Sequence, residues 1–82
     1  MNFQESKKLV LDANILRARE KWDECIQLVQ GNLSQIHPCA QLSAWLEIFS
    51  AARRKGDLVT ARRAAQEIKN LRHDLPSIQS YL

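Results

Sequence analysis

The chain has 82 residues and a formal net charge of +3, which bounds it at one domain and leaves no strong electrostatic bias toward a partner. Hydrophobic residues make up 45% and charged residues 26%, ordinary values for a soluble globular chain. With only 2 Gly, 2 Pro and 6% aromatics, the composition argues against sheet and for an all-α fold. A folded chain of this size removes only about 60% of its unfolded surface from water, so oligomerisation or docking onto a neighbour is expected to help stabilise it. The opening Met1 to Ser6 shows no basic stretch leading into an apolar one, and no apolar run is long enough to span a membrane. Two cysteines, Cys25 and Cys39, without a leader suggest a reducing cytoplasmic setting.

In chain order, the spacing predicts a first helix from Phe3 to about Arg19, with Leu9, Val10, Ala13, Ile15 and Leu16 recurring at helical intervals. Glu20-Lys21 is the predicted corner. Asp23 and Glu24 suit the positive end of a second helix, whose apolar face reads Trp22, Ile26, Val29 and Leu33. Gly31 weakens its last turn, and Pro38 turns the chain into a third helix, Cys39 to about Lys55. Leu42, Trp45, Leu46, Ile48, Phe49 and Ala52 form its apolar positions. Gly56 closes it, with Arg53, Arg54 and Lys55 at its negative end. Asp57 opens a fourth helix to about Arg72, where Leu58, Ala61, Ala65, Ile68 and Arg72 share a stripe widened by Ala64 and Leu71. Pro76 to Tyr81 is expected to start a short further helix.

Two helical hairpins therefore follow one another, and their corners align from Trp22 to Leu58, a spacing of 36 residues (58 − 22). Cys25 falls opposite Ala61 and Val29 opposite Ala65, small residues where helices cross closely. In the second hairpin Trp45, Ile48, Ala52, Gly56-Asp57-Leu58, Ala61, Ala65 and Ile68 resemble a tetratricopeptide repeat. A thinner copy upstream carries Leu9, Ala13, Leu16, Trp22, Cys25 and Val29, with Pro38 near the terminal proline of that pattern. Departures are Phe49 at a usually small position, Ala65 at a usually aromatic one, and a spacing above the usual 34 or so.

The resemblance implies two stacked repeats, about 6–38 and 42–75, and a cap or start of a further repeat over 76–82. It also implies a concave face for a peptide or helix made by Lys7, Val10, Asn14, Arg17, Leu46, Ser50, Arg53 and Arg54. One branch of the family clamps a peptide carboxylate with Lys and Asn one turn apart. Asn14 matches that Asn, but Val10 stands where the Lys should be. Two repeats fall below the usual minimum of about three. An end face of Leu71, Leu75, Ile78 and Tyr81 is therefore expected to pack on another copy or on a longer chain.

Other constellations have plainer readings. Trp45 and Trp22 read as core or corner-wedge residues. Cys25, His37, Cys39 and His73 supply soft ligand types, but Cys25 is mid-helix and no C-x-x-C or H-x-x-x-H pair exists, so no metal is expected. No third orienting group or oxyanion site accompanies Cys39 and His37, so no catalytic residue and no cofactor is expected. The cations at Arg53-Arg54-Lys55, Arg62-Arg63, Lys69 and Arg72 are interspersed with acids and lack stacking aromatics, which disfavours nucleic acid. The sequence thus points to a non-enzymatic protein-interaction module, an adaptor or repeat domain of a larger protein. A small secretion chaperone masking an aggregation-prone helix, and a basic hairpin binding nucleic acid, stand as alternatives.

Overall fold

The computed structural model describes residues 1–71 and Tyr81. Four α-helices, α1 Phe3–Ala18, α2 Trp22–Gln30, α3 Gln41–Lys55 and α4 Leu58–Leu71, make up most of the described chain, and no strand occurs among these residues. The fold is all-α. Consecutive helices pack on one another, and α1 also packs on α3. The short links between α1 and α2, and between α3 and α4, leave room only for antiparallel hairpins. α1 and α3 run parallel: Ser6 near the start of α1 meets His37 just before α3, while Arg17 near its end meets Glu47 inside α3.

Local chemistry explains most of the boundaries. Asn2 accepts the Glu5 N–H at 2.8 Å and donates its own N–H to Glu5 Oε1 at 3.1 Å, a reciprocal cap that starts α1. α3 ends where Gly56 turns left-handed at φ 88°, with the Asp57 N–H reaching back to the Ala52 carbonyl at 2.9 Å. Asp57 then caps α4, its carboxylate accepting the Thr60 N–H at 3.1 Å and the Thr60 hydroxyl at 2.7 Å.

α2 stops earlier than its apolar spacing predicts. After Gly31 the Asn32 amide donates to the Leu28 carbonyl at 2.8 Å, which takes a helical acceptor out of the ladder. Leu33 consequently lies in a 3-10 turn, Leu33–Gln35, not on a helix. A second 3-10 turn, Pro38–Ala40, precedes α3, with Pro38 at its first position and His37 Nδ1 accepting the Cys39 N–H at 3.1 Å. The Gln41 amide donates to the Leu33 and Ile36 carbonyls, which seals this connection against α3.

The core runs from Ala13 on α1 through Cys25, Ile26 and Val29 on α2 and Ala44, Trp45, Ile48 and Phe49 on α3 to Ala61, Ala65 and Ile68 on α4. Each fully buried Val or Ile contributes roughly 1.5–3 kcal/mol. Trp45 and Cys25 sit in this core as expected from their spacing, and Trp22 packs half-buried at its edge. Leu58, assigned by its spacing to the buried stripe of α4, is exposed instead. It occupies the first position of α4, ahead of the turn at which Ala61, Ala64, Ala65 and Ile68 meet α3. The expected short helix over residues 76–81 lies outside the described residues except for Tyr81.

Candidate functional site

A groove of about 730 Å³ lies between the N-terminal halves of α1 and α3. Phe3, Lys7, Val10, Leu11 and Asn14 form the α1 wall, and Cys39, Ala40, Ser43, Leu46 and Glu47 the opposite side. Its position follows from the helix phases. Ser6 and Ala13 of α1 are fully buried, Val10 on the same stripe is half-buried against the core, and Lys7 and Leu11 follow at the exposed edge of the groove.

Both ends of the groove are bolted. At one end the buried Ser6 hydroxyl accepts the His37 N–H at 2.9 Å, and the Phe3 ring meets the His37 ring edge-on, centroids 5.5 Å apart. At the other end Glu47 bridges α3 to α1, accepting from Asn14 Nδ2 at 3.0 Å and from Arg17 Nε at 2.8 Å. The Glu47 side chain is 13% exposed and that of Arg17 30%, so water screens this pair only in part. The groove is therefore held open by contacts made within the chain.

Of the residues expected on the concave face, Lys7, Val10, Asn14 and Leu46 line the groove together. Arg17 stands just beyond it, committed to Glu47. Ser50, Arg53 and Arg54 continue along α3 but do not line it, and the Arg53 guanidinium lies over the Phe49 ring at 5.7 Å. The expected surface is thus divided in two. Asn14, the one match to a carboxylate clamp, has its amide bonded to the chain's own carboxylate at Glu47. The sequence also offered Phe3, Leu11, Ser43 and Glu47 to the groove without marking them. The signal for Glu47 was its spacing from Asn14 and Arg17, about one repeat further along the chain.

The expected end face fares differently. Leu71 is exposed at the end of α4, but Tyr81 packs edge-on against Phe49 with ring centroids 5.0 Å apart, so its ring is engaged within the chain. Leu75 and Ile78 lie outside the described residues.

The two thiols have opposite environments. Cys25 is fully buried, and burial pushes its thiol up to about 11, with the nearby Glu47 carboxylate adding to the rise and Arg17 opposing it. A protonated thiol there acts as a small hydrophobe. Cys39 is exposed on the groove edge, and its backbone N–H takes the His37 Nδ1 lone pair that a base would need. Among the described residues, no three metal-ligating side chains lie together, and no helix is long and apolar enough to cross a membrane. Comparison with protein-family models, with curated proteins and with solved structures found no match.

Proposed function

We propose that the chain is a non-enzymatic protein-interaction module that receives a peptide or helix in the groove between α1 and α3. The observation that carries this is a preformed, mostly apolar trough whose ends are fixed by Ser6–His37 and by Glu47 with Asn14 and Arg17. A cleft held open before binding costs less conformational entropy when it is filled. Support for a helical-repeat module of the tetratricopeptide kind comes from the two hairpin corners. Glu20 and Gly56 adopt the same left-handed turn at the equivalent place, a spacing of 36 residues (56 − 20). Two free cysteines suit a reducing compartment such as the cytoplasm.

The test is selection of binders from a random-peptide phage library on the immobilised chain, followed by anisotropy titration of the winning peptides. Leu11→Asp and Leu46→Asp are expected to abolish binding. Leu11 is 58% exposed, so Leu11→Asp leaves the fold intact, which circular dichroism checks. Binders indifferent to both substitutions would place recognition elsewhere. A turnover activity lost in Cys39→Ser would overturn the non-enzymatic assignment.

A further inference from the structure

We infer that the occupant of this groove is an acidic amphipathic α-helix, its apolar stripe on Val10, Leu11 and Leu46 and its carboxylates set against Lys7 and Lys8. The inference rests on the groove reading above and adds the chemistry of the partner.

The charge balance of the groove is one-sided. Its lining holds two lysines, Lys7 and Lys8, and one carboxylate, Glu47. Glu47 is already neutralised by Arg17. Neither lysine forms an ion pair among the described residues. Lys7 is also held in place, its ammonium 5.5 Å from the centre of the Phe3 ring, so one cation is positioned at the rim before any partner arrives. An apolar trough edged by unpaired cations is complementary to an apolar stripe flanked by carboxylates.

The backbone argument selects a helix over an extended strand. The walls are helical and no strand borders the groove, so they present no sheet edge for strand addition. An extended guest would lay most of its backbone polar groups against Val10, Leu11 and Leu46, because Asn14 is bonded to Glu47 and the remaining donors of the lining, Gln4, Ser43 and the two lysines, are too few to pair them all. A helix satisfies its backbone internally and lays one face in the groove. The α1 wall from Phe3 to Asn14 matches roughly three turns at ~1.5 Å per residue.

The experiment uses the full chain and a phage library of displayed three-turn helices with fixed apolar positions at i, i+4 and i+7 and randomised flanks. Selected flanks are expected to be enriched in Asp and Glu on the side facing Lys7 and Lys8. Lys7→Glu/Lys8→Glu is expected to weaken the winners about tenfold, as for two exposed ion pairs turned repulsive. The same substitutions are expected to shift a fresh selection toward Lys and Arg. Binding should also weaken as salt rises from about 0.01 M to about 1 M, where the Debye length falls from ~30 Å to ~3 Å. Winners lost in Leu11→Asp but showing no acidic enrichment, or unaffected by Lys7→Glu/Lys8→Glu, would overturn the acidic-helix inference and leave the groove function standing. No Leu11-dependent winner from either library would overturn both.

Discussion

The two hairpin corners share the hydrogen bond that closes them but are built from different residues. At the second corner Gly56 sits at φ 88°, and the Asp57 N–H bonds to the Ala52 carbonyl. At the first corner Glu20 sits at φ 62°, and the Lys21 N–H bonds to the Leu16 carbonyl at 2.9 Å. Glycine takes a left-handed turn without steric cost, whereas Glu20 adopts it at a cost of about 1–2 kcal/mol. Asp57 also caps α4 with its side chain, while Lys21 gives α2 no side-chain cap. Local chemistry thus specifies the second corner, and the first is imposed by what packs around it. The same division runs through the hairpins. α4 meets α3 through a narrow stripe of alanines and one isoleucine, whereas α1 is fastened by long-range polar contacts from Ser6, Asn14 and Arg17.

The comparison breaks most visibly at Ile68. Ala61, Ala64 and Ala65 bring α4 close to α3, but only Ile68 fills volume along that stripe. Ile68→Ala is expected to destabilise the chain by about 2–5 kcal/mol, read as a fall in the urea midpoint. Leu11→Ala, at an exposed position on α1, is expected to change stability by less than about 0.5 kcal/mol. A comparable loss from both would mean that α1 buries a face against something in solution.

Next in size is the polar fastening of α1. Glu47→Ala leaves the Asn14 amide and the Arg17 guanidinium without their acceptor, at an expected cost of about 1–3 kcal/mol. Glu47→Gln keeps one oxygen for Asn14 and should lose less. A double-mutant cycle with Arg17→Ala separates the ion pair from the Asn14 bond, because residues in direct contact couple non-additively. Additive losses would show that Glu47 acts only through Asn14.

The corners themselves give a pair of opposite signs. Gly56→Ala is expected to destabilise by about 1–2 kcal/mol through backbone strain alone, since a Cβ there would meet nothing within 4 Å. Glu20→Gly removes strain of the same kind and gives back part of it as chain entropy, for an expected gain of about 0.5–1 kcal/mol. Thermal melting of the two variants checks both signs. Destabilisation by Glu20→Gly would mean that the first corner carries a contact worth more than its strain.

This difference also explains what could be read from the amino-acid sequence. Gly56-Asp57, the apolar spacing of α3 and the small residues of α4 are local signals, and they placed the α3–α4 corner to the residue, whereas α3 starts at Gln41, two residues later than expected. The first corner carried no Gly or Pro, so Glu20-Lys21 was legible only from where the apolar spacing changed phase. The early end of α2 depended on a side-chain bond from Asn32 to Leu28, which propensity does not reveal. Leu58 misled because its spacing fits the stripe while its position in the first turn lies beyond the helix contact. At the groove, half of the expected face was placed together because Lys7, Val10 and Asn14 fall one turn apart on α1 and Leu46 faces them from α3. Glu47 and Leu11 went unmarked because a carboxylate committed to two donors and an exposed leucine look ordinary when only the sequence is considered.

The smallest expected effect is a pH dependence confined to the second corner. The Thr60 hydroxyl and N–H, in that order, hold the Asp57 carboxyl below its ordinary value. A carboxylate whose folded pKa is depressed stabilises the chain above its unfolded value, near 3.8, and that contribution is lost as pH falls through the folded value. The acid limb of the stability curve below about pH 4 should therefore flatten in Asp57→Asn, which retains an oxygen for the Thr60 N–H but no longer titrates. Thr60→Val removes the hydroxyl, brings the folded value closer to the unfolded one and should partly flatten the same limb. The first corner has no counterpart to this cap, so Lys21→Ala should leave the acid limb where it is. Measuring urea midpoints across that pH range for the three variants and the parent tests whether the two corners differ in charge as they do in backbone, and an acid limb unchanged in Asp57→Asn would assign acid unfolding to other carboxylates.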